Sequence, residues 1–394
     1  MRLQLWFCCW LLMSLAMACA DPAFVGTASN GSLVLRPADG QQVVIDGVVF
    51  LALVNKLDKL ERMVTMASQQ QCMVTTDTTI TGLGDGLKWH GGVLADNGKI
   101  FCIPHFSTSV LVIDPTTSTT DTTTITGLSG GGKWAGGVLA GNGKIYCIPA
   151  RSASVLIIDP AGNIADSTTI ADLDGIDGTN KWLGGVLAGN GRIYGIPFDS
   201  SLVLIIDPSN STVDTTTITG LDGGGKWAGG VLINNGRIYA IPYSSSSVLI
   251  IDPTANTADT TTISGLSSNC CKWSGGVLAG NGKIYGIPYR SATVLIIDPT
   301  TNTADTIAIT GSSGTDLWWG GVLAGNGMIY GIPYSAESVL IFDPTSNTSD
   351  TTSISSLDGG GKWRDGVLAG NGKIYGIPFK QSSVLIVKRD CEGL

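Results

Sequence analysis

The 394-residue sequence has few charged residues and almost no histidine. Asp, Glu, Lys and Arg make up 14% of it, the formal net charge is −8, and His90 and His105 are the only histidines. This balance argues against a nucleic-acid groove or an anionic membrane surface as the partner, and it favours neutral or basic partners. With so few histidines, the most common general base is also scarce.

Motifs of common catalytic sites are missing as well. The sequence has no G-x-S-x-G, no metal-spaced cysteine cluster and no phosphate-binding loop between a strand and a helix. After residue 20 no apolar run reaches membrane-spanning length, since "VVFLALV" at residues 48–54 is far too short. We therefore expect no cofactor, no metal and no membrane span, and we favour a non-enzymatic protein.

The first twenty residues, "MRLQLWFCCWLLMSLAMACA", predict a secretory signal. Arg2 precedes an apolar core, and Ala18 and Ala20 are small residues before Asp21. A lipid anchor at Cys19 is the weaker alternative. Cleavage after Ala20 predicts a secreted or cell-surface protein, and residues 1–20 are assigned to the signal.

One phrase, "KWAGGVLAGNGKIYCIPA" at residues 133–150, is repeated with small changes along most of the chain. Its seven copies are anchored on tryptophans spaced 45 to 48 residues apart: Trp89, Trp134, Trp182, Trp227, Trp273, Trp318 and Trp363. A fixed period of this length is typical of a repeat architecture that folds as one domain.

Each copy contains four segments with strand character. They are "GGVLAGN", "KIYGIP", "SVLIIDP" and "DTTTITGL", with an Asn-Gly hairpin signal after the first and an Asp-Pro turn after the third. Four antiparallel strands repeated seven times predict an all-β fold, a seven-bladed β-propeller. The strand-like pattern and the two turn signals exclude a helical solenoid.

The two ends of the repeat array complement each other. The last copy stops after its third strand, while "DTTITGL" at residues 77–83 precedes the first tryptophan. We expect residues 77–83 to supply the fourth strand of the last blade, which would close the ring and remove a free sheet edge. The predicted propeller domain spans residues 75–391.

The line "NGKIYGIPYRSATVLIIDPTTNTADT" resembles kelch-type and YVTN-type propeller repeats. The resemblance covers all seven copies and implies the propeller fold. It says little of function, because such propellers serve as scaffolds, binders and occasionally enzymes. The chain departs from kelch repeats in having Ile-Pro in place of Gly-Gly after the second strand, and Thr where the fourth kelch strand has Trp.

Residues 21–74 differ from the repeats. The stretch "GSLVLRPADGQQVVIDGVVF" alternates like a small β element. A 4-3-4 apolar spacing follows at Leu53, Leu57, Leu60, Val64 and Ala67, which is typical of a coiled-coil seam. Residues 53–67 therefore predict either a self-associating stalk that makes a homo-oligomer or a single helix packed on the propeller.

Aromatic residues recur at three places in each copy. Those in the middle of the second strand are predicted to be core: Phe101, Tyr146, Tyr194, Tyr239, Tyr285, Tyr330 and Tyr375. The seven tryptophans are either wedges between blades or a ligand platform. The residues that end the second strand on the same face vary, which a binding surface or relaxed constraint would both produce: His105, Ala150, Phe198, Tyr243, Tyr289, Tyr334 and Phe379.

Two groups of residues could bind a metal ion. His90 and His105 are expected opposite each other on neighbouring strands, but without a third ligand, so a surface pair is favoured. The loop "DLDGIDGTN" offers oxygen ligands for calcium at Asp172, Asp174, Asp177 and Asn180, with an acidic surface turn as the more common explanation.

Six cysteines follow the predicted signal. Cys72 and Cys391 flank the turn that is missing from the last blade, so we expect them to form a disulfide. Cys102 and Cys147 occupy equivalent positions in adjacent blades and are expected to stay unbonded. Cys270 and Cys271 could form a vicinal disulfide.

These features favour a secreted, non-enzymatic propeller that binds an extracellular protein or glycan. A structural wall or matrix protein is one alternative, suggested by the low charge and the abundance of Thr, Ser and Gly. A hydrolase or lyase with its site at the channel mouth is the other, and the sequence shows no asymmetric acid/base cluster to support it. The sequons at Asn210 and Asn347 follow third strands, which favours the opposite face, that of the tryptophans, for recognition.

Overall fold

The structure is a computed structural model that describes residues 24–27, 33–36, 43–45, 73–309 and 314–390. Every element in these ranges is a β-strand, and within them there is no helix of a length and apolarity that could cross a membrane. The chain divides into two units, Val74–Asp390 and the remainder. The predicted signal, the seam at residues 53–67, and Cys72 and Cys391 lie outside the described residues.

The first unit contains a three-stranded antiparallel sheet. Its strands are β1 (Phe24–Thr27), β2 (Leu33–Arg36) and β3 (Val43–Ile45), in that order. They fall in the stretch where the alternating pattern predicts a small β element.

The second unit is the predicted seven-bladed propeller, with a four-stranded antiparallel sheet in each blade. First strands of neighbouring blades contact one another around the whole ring, so they surround the axis. The first strands of blades 1 to 7 are β5 (Trp89–Leu94), β9 (Trp134–Leu139), β13 (Trp182–Leu187), β17 (Trp227–Leu232), β21 (Trp273–Leu278), β25 (Trp318–Leu323) and β29 (Trp363–Leu368).

The second and third strands form the buried middle of each blade. The second strands are β6 (Ile100–Pro104), β10 (Ile145–Pro149), β14 (Ile193–Pro197), β18 (Ile238–Pro242), β22 (Ile284–Pro288), β26 (Ile329–Pro333) and β30 (Ile374–Pro378). The third strands are β7 (Leu111–Asp114), β11 (Leu156–Asp159), β15 (Leu204–Asp207), β19 (Leu249–Asp252), β23 (Thr293–Asp298), β27 (Leu340–Asp343) and β31 (Leu385–Asp390). The mid-strand aromatics predicted as core are all buried.

The fourth strands lie at the outer edge. They are β8 (Thr119–Asp121), β12 (Ile164–Asp166), β16 (Thr212–Asp214), β20 (Thr257–Asp259), β24 (Thr303–Ala308), β28 (Thr348–Asp350) and, for blade 7, β4 (Met73–Asp77). An N-terminal strand thus completes the last blade. It lies just before the predicted segment 77–83, whose Ile80 and Leu83 hydrogen-bond to the backbone of Val384 and Ser382 instead.

A local hydrogen-bond pattern shortens these strands relative to the predicted "DTTT" strand. In blade 4, Oδ1 of Asp259 accepts the N–H of Thr261 at 2.7 Å and of Thr262 at 3.1 Å, together with the Thr261 hydroxyl at 2.8 Å. Such local bonds compete with the sheet ladder. Blade 5 has Ile307 and Ala308 in place of these hydroxyl residues, and there the strand continues to Ala308.

Cysteine positions follow from the register of the blades. Cys102 and Cys147 are buried and unbonded, as predicted. They stand at the position that is Gly195 or Gly286 in other blades, where only a small side chain fits against the neighbouring leucine. Cys270 and Cys271 are joined in a vicinal disulfide.

In blades 1, 2, 3, 5 and 7 the Asn-Gly turn hydrogen-bonds the blade to the next one. In blade 3, Nδ2 of Asn190 donates to the hydroxyl of Tyr194 at 3.0 Å and to the carbonyl of Pro253, in blade 4, at 3.2 Å. Asn371 of blade 7 donates in the same way to the carbonyl of Pro115 in blade 1 at 3.1 Å. These bonds are therefore part of what closes the ring.

We predict that Asn190→Ala lowers the free energy of unfolding by about 1–3 kcal/mol, because it leaves the buried Tyr194 hydroxyl and a carbonyl without this donor. Urea denaturation measures the change. Asn235→Ala is the matched control: Asn235 has the same place in its turn, but the buried hydroxyl of Tyr239 has no partner to lose. Equal losses in the two variants would contradict the role of this bond.

Candidate functional site

The predicted ligand-binding residues lie on one face of the propeller. Each tryptophan pairs with the proline that ends the second strand, as Trp89 does with Pro104, so the loops before the tryptophans and the ends of the second strands share a face. We call it the tryptophan face. The Asn-Gly and Asp-Pro turns lie together on the opposite face, where Asn210 and Asn347 are exposed.

The seven tryptophans are buried between blades, with 0–3% of their surface exposed. Each indole N–H donates to a backbone carbonyl twenty residues further along the chain at 2.7–2.9 Å, as Trp89 does to Ser109. Of the two interpretations of the sequence, this packing fits a wedge between blades and leaves little ring surface for a ligand.

The lysines that precede six of the tryptophans contact backbone carbonyls and the tryptophan rings. Lys133, for example, donates from Nζ to the carbonyls of Gly130 at 2.7 Å and Ser107 at 2.9 Å, and Nζ lies 5.8 Å from the Trp134 ring. Burial lowers the pKa of Lys133, Lys272 and Lys362 to about 8. These lysines hold the loops before the tryptophans in place.

A β-bulge directs the next residue toward the axis. In every blade the pairing between the first and second strands shifts by one residue just after the tryptophan, as between Trp89 and Gly92 in blade 1. A bulge leaves one residue outside the ladder and re-aims its side chain, and bulges are common beside functional sites. The residue after each tryptophan is therefore free to vary without disturbing the sheet.

A ring of glycines with left-handed backbone surrounds the axis beneath these residues. Gly136 has a φ of +81°, and a Cβ atom on it would lie 3.1 Å from Cα of Gly184 in the next blade. The same close approach recurs from blade to blade. In blade 7 the glycine is replaced by Asp365, which has a φ of +67° and lies against Gly320 and Gly91.

Fourteen residues, two from each blade, form the centre of the tryptophan face. We call them the mouth residues. Those after the tryptophans are His90, Ala135, Leu183, Ala228, Ser274, Trp319 and Arg364, and those after the prolines are His105, Ala150, Phe198, Tyr243, Tyr289, Tyr334 and Phe379. Eleven of them differ from the alanine found at both positions in blade 2, so the repeat varies strongly in side-chain chemistry here.

Aromatic mouth residues form an arc over six of the seven blades. Successive ring centroids, running from Phe198 through Tyr243, Tyr289, Tyr334 and Phe379 to His105, are 5.2 to 6.4 Å apart. Phe198, Tyr243 and Tyr334 remain half-buried, whereas Tyr289 and Phe379 are only 6% and 3% exposed. Of the predicted site residues, the first three thus keep the largest exposed fractions.

Trp319 and Arg364 fill the space inside the arc. The Trp319 ring lies 4.9 Å from Tyr289 and 5.5 Å from His90, between centroids. The guanidinium carbon of Arg364 is 3.9 Å from the Phe379 ring centroid and 4.4 Å from that of Trp319. A column-by-column comparison of the seven copies would have found both residues, since "WWGGVL" and "WRDGVL" stand out from "WAGGVL".

The two histidines are not the surface pair predicted from the sequence. Their rings are 5.4 Å apart, but His90 is 5% and His105 7% exposed, and His90 lies in the bulge rather than directly opposite His105. Burial lowers the pKa of His105 to about 4 and that of His90 well below its usual range, and nearby Arg364 adds to both shifts. Both imidazoles are neutral at pH 7.

Four polar residues near the axis form a group that the sequence analysis did not predict. His90, His105, Arg364 and Asp365 come from blades 1 and 7 and lie around the axis. The sequence analysis missed this group because the two histidines lie more than 250 positions before Arg364 and Asp365, and ring closure alone makes the two pairs neighbours.

Two of the four candidate calcium ligands in the loop at residues 172–180 hydrogen-bond to neighbouring segments of the propeller. Asp177 accepts the Ser200 hydroxyl and the Ser201 N–H at 3.2 Å, and Oδ1 of Asn180 accepts Nε–H of Arg151 at 3.1 Å. Within the described ranges, no group of three or more His, Cys, Asp or Glu side chains is arranged to hold a metal ion.

The fold is similar to solved propellers at low sequence identity. A streptogramin B lyase matches with a TM-score of 0.66 at 12% identity, over 81% of this chain and 98% of that one. The extracellular domain of the hybrid two-component system BT4673 from B. thetaiotaomicron has a TM-score of 0.61 at 10% identity, over 93% and 46%. YCF48 bound to D1 peptide has a TM-score of 0.59 at 9% identity, over 80% and 96%. At such identities the likeness shows the fold alone.

No protein-family model matches the chain, and no curated protein matches its sequence. The kelch-type and YVTN-type resemblance of the repeats therefore stays a prediction.

Asp365 gives a prediction about stability. Burial raises its pKa to about 6, and a left-handed backbone is unfavourable for Asp. Asp365→Gly restores the repeat, and we expect it to raise the free energy of unfolding at pH 7 by about 1–3 kcal/mol.

The pH dependence of the free energy of unfolding separates the two destabilising effects of Asp365, its buried carboxylate and its left-handed backbone. Between about pH 4 and pH 6 the folded state binds more protons at Asp365 than the unfolded state, so the stability of the parent falls as the pH rises through this range. Asp365→Asn should lose this fall but keep most of the backbone strain. Denaturation curves at pH 4, 5, 6 and 7 test this. Identical pH profiles for parent and Asn variant would refute the buried carboxylate as the cause.

Proposed function

We propose that this protein is an extracellular binding module that recognises a protein or glycan through its mouth residues. The observation that carries the proposal is the concentration of variation at one place: the repeat is strict in its strands and turns, while the mouth residues range from alanine to tryptophan and arginine. The predicted secretory signal supplies the extracellular location. Similar propellers in the extracellular domain of a two-component system and in a peptide complex support the proposal by analogy of fold.

The chemistry of the mouth suits binding. Phe198, Tyr243 and Tyr334 present half-buried rings in a contiguous arc, and partly exposed aromatics are common energetic anchors of interfaces. The opposite face instead repeats ordinary surface ion pairs, such as Lys283 with Asp298 at 3.2 Å, which contribute little to specificity.

A lyase or hydrolase is the second candidate. Two observations favour it: the polar cluster of His90, His105, Arg364 and Asp365, and the fold likeness to a streptogramin B lyase. Nδ1 of His105 lies 2.9 Å from the Trp134 carbonyl, which would hold the neutral ring in one tautomer. We rank it second because both imidazoles are buried in the aromatic packing, away from an approaching substrate.

Glycan and extracellular-protein arrays probed with the mature protein should identify a ligand. We then expect the double variant Phe198→Ala/Tyr243→Ala to weaken binding about tenfold or more, because two aromatic anchors are lost. Ala150 occupies the equivalent position in blade 2, so alanine is compatible with the fold. Calorimetric titration measures the affinity.

Ile164→Ala serves as the control for this variant. Ile164 is 63% exposed beside an Asp-Pro turn on the opposite face, and its loss should leave binding unchanged. Full affinity in the double variant together with loss in Ile164→Ala would place recognition on the opposite face. Retention of binding by both variants would also refute the role of the mouth.

A further inference from the structure

Hydrogen-bonding capacity is left unused at the mouth. Among the described residues, four buried side-chain nitrogen or oxygen atoms have no hydrogen-bond partner, and three of them are Nδ1 and Nε2 of His90 and Nε of Arg364. Buried polar groups are normally paired, and those that are not call for an explanation. The two residues lie close enough for Arg364 to affect the titration of His90.

Arg364 also carries a charge that no described carboxylate pairs with. It belongs to none of the five ion pairs among the described residues, and its Nη2 donates to the Tyr334 hydroxyl at 3.5 Å, a long contact. The carboxylate of the next residue, Asp365, instead accepts the N–H of Gly366 and lies against the glycine ring. A cation held among aromatic rings without an anion is costly, since burial without a counter-charge is unfavourable.

The charged groups that act on His105 are all cations: Arg364, Arg151 and Lys133. Asp316, an acid beside the arc, is paired with Arg290. Asp365, the buried acid at the axis, forms none of the ion pairs among the described residues. The net charge of −8 favours neutral or basic partners for the protein as a whole, but the cations around His105 favour an anionic group at this point of the mouth.

The surroundings of Arg364 favour a small cyclic ligand over an extended peptide. The first strand is the inner edge of each blade sheet, but neighbouring first strands pack closely around the axis, and a Cβ atom on Gly275 would lie 3.0 Å from Cα of Gly320. This packing leaves no room for a peptide strand to add to an inner edge. What surrounds the guanidinium is a set of discrete rings, with half-buried Tyr243 and Tyr334 on the arc. Aromatic faces of this kind pack against the apolar C–H face of a sugar ring.

We propose that the mouth binds a carboxylated sugar, with the carboxylate paired to Arg364 and the sugar ring against Tyr243 and Tyr334. The proposal rests on the proposed binding function and names its ligand class. A charge-assisted pair with a guanidinium is shorter and stronger than a neutral hydrogen bond, which makes the carboxylate the main determinant of specificity.

Two oligosaccharide probes with matched neutral forms test this. Tetragalacturonate and tetramannuronate are titrated into the mature protein by calorimetry, each beside its methyl ester, which keeps the ring and removes the charge. We expect at least one acid to bind about tenfold or more tightly than its ester. Equal affinities for acid and ester would overturn the role of the charge.

Arg364→Ala provides the residue-level test. Alanine stands at the same position in blades 2 and 4, as Ala135 and Ala228, so the variant should fold, with a Tm equal to or above that of the parent. The acid should then bind no better than its ester. Lys380→Ala, which removes an exposed cation one residue after Phe379, is the matched control and should keep the preference for the acid.

The outcomes separate this proposal from the binding function itself. An acid preference that survives Arg364→Ala, or that is lost equally in Lys380→Ala, would overturn the site. If an acetylated tetra-aspartate peptide binds and neither uronate does, the ligand class is wrong. If the arrays yield ligands but both uronates fail, the carboxylated-sugar proposal fails while the binding function stands. Arrays without any ligand would refute the binding function.

Discussion

The close approach of the seven first strands around the axis is the constraint on which the rest of the structure depends. A Cβ atom on Gly275 would lie 3.0 Å from Cα of Gly320, and glycine adopts the left-handed backbone of this position without strain. The glycine after it is equally restricted, since a Cβ on Gly276 would lie 2.6 Å from Cδ1 of Ile241 in the previous blade. The Gly-Gly pair of blades 1 to 6 thus allows the close approach that sets the radius of the ring.

The same constraint creates the candidate site. The left-handed glycine belongs to the bulge that takes the residue after each tryptophan out of the ladder, so that residue points into the mouth. Structural demands fall on the tryptophan and the glycines, and the position between them is free to change. Blade 7 shows how far this freedom extends, because it combines Arg364 with Asp365, which replaces a glycine of the ring.

Much of the fold could be predicted from local chemistry that recurs in each copy. Asn-Gly turns, apolar third strands and the period set by the tryptophans are sufficient for a seven-bladed propeller. Boundaries were less predictable. In blade 4 the fourth strand ends at Asp259, because its carboxylate accepts hydrogen bonds from nearby N–H groups. In blade 5 the fourth strand continues to Ala308. A pattern of alternating threonines does not distinguish a strand from such a turn.

The sequence by itself determined the architecture, the buried mid-strand tyrosines and the unbonded state of Cys102 and Cys147, because each follows from a short pattern repeated in register. Only the tertiary structure decided which variable residues meet. Ring closure brings His90 of blade 1 beside Arg364 of blade 7, and Trp319 reaches across to both. Contacts of this kind depend on the curvature of the whole ring. All seven blades together set that curvature, so the sequence of one copy does not determine it.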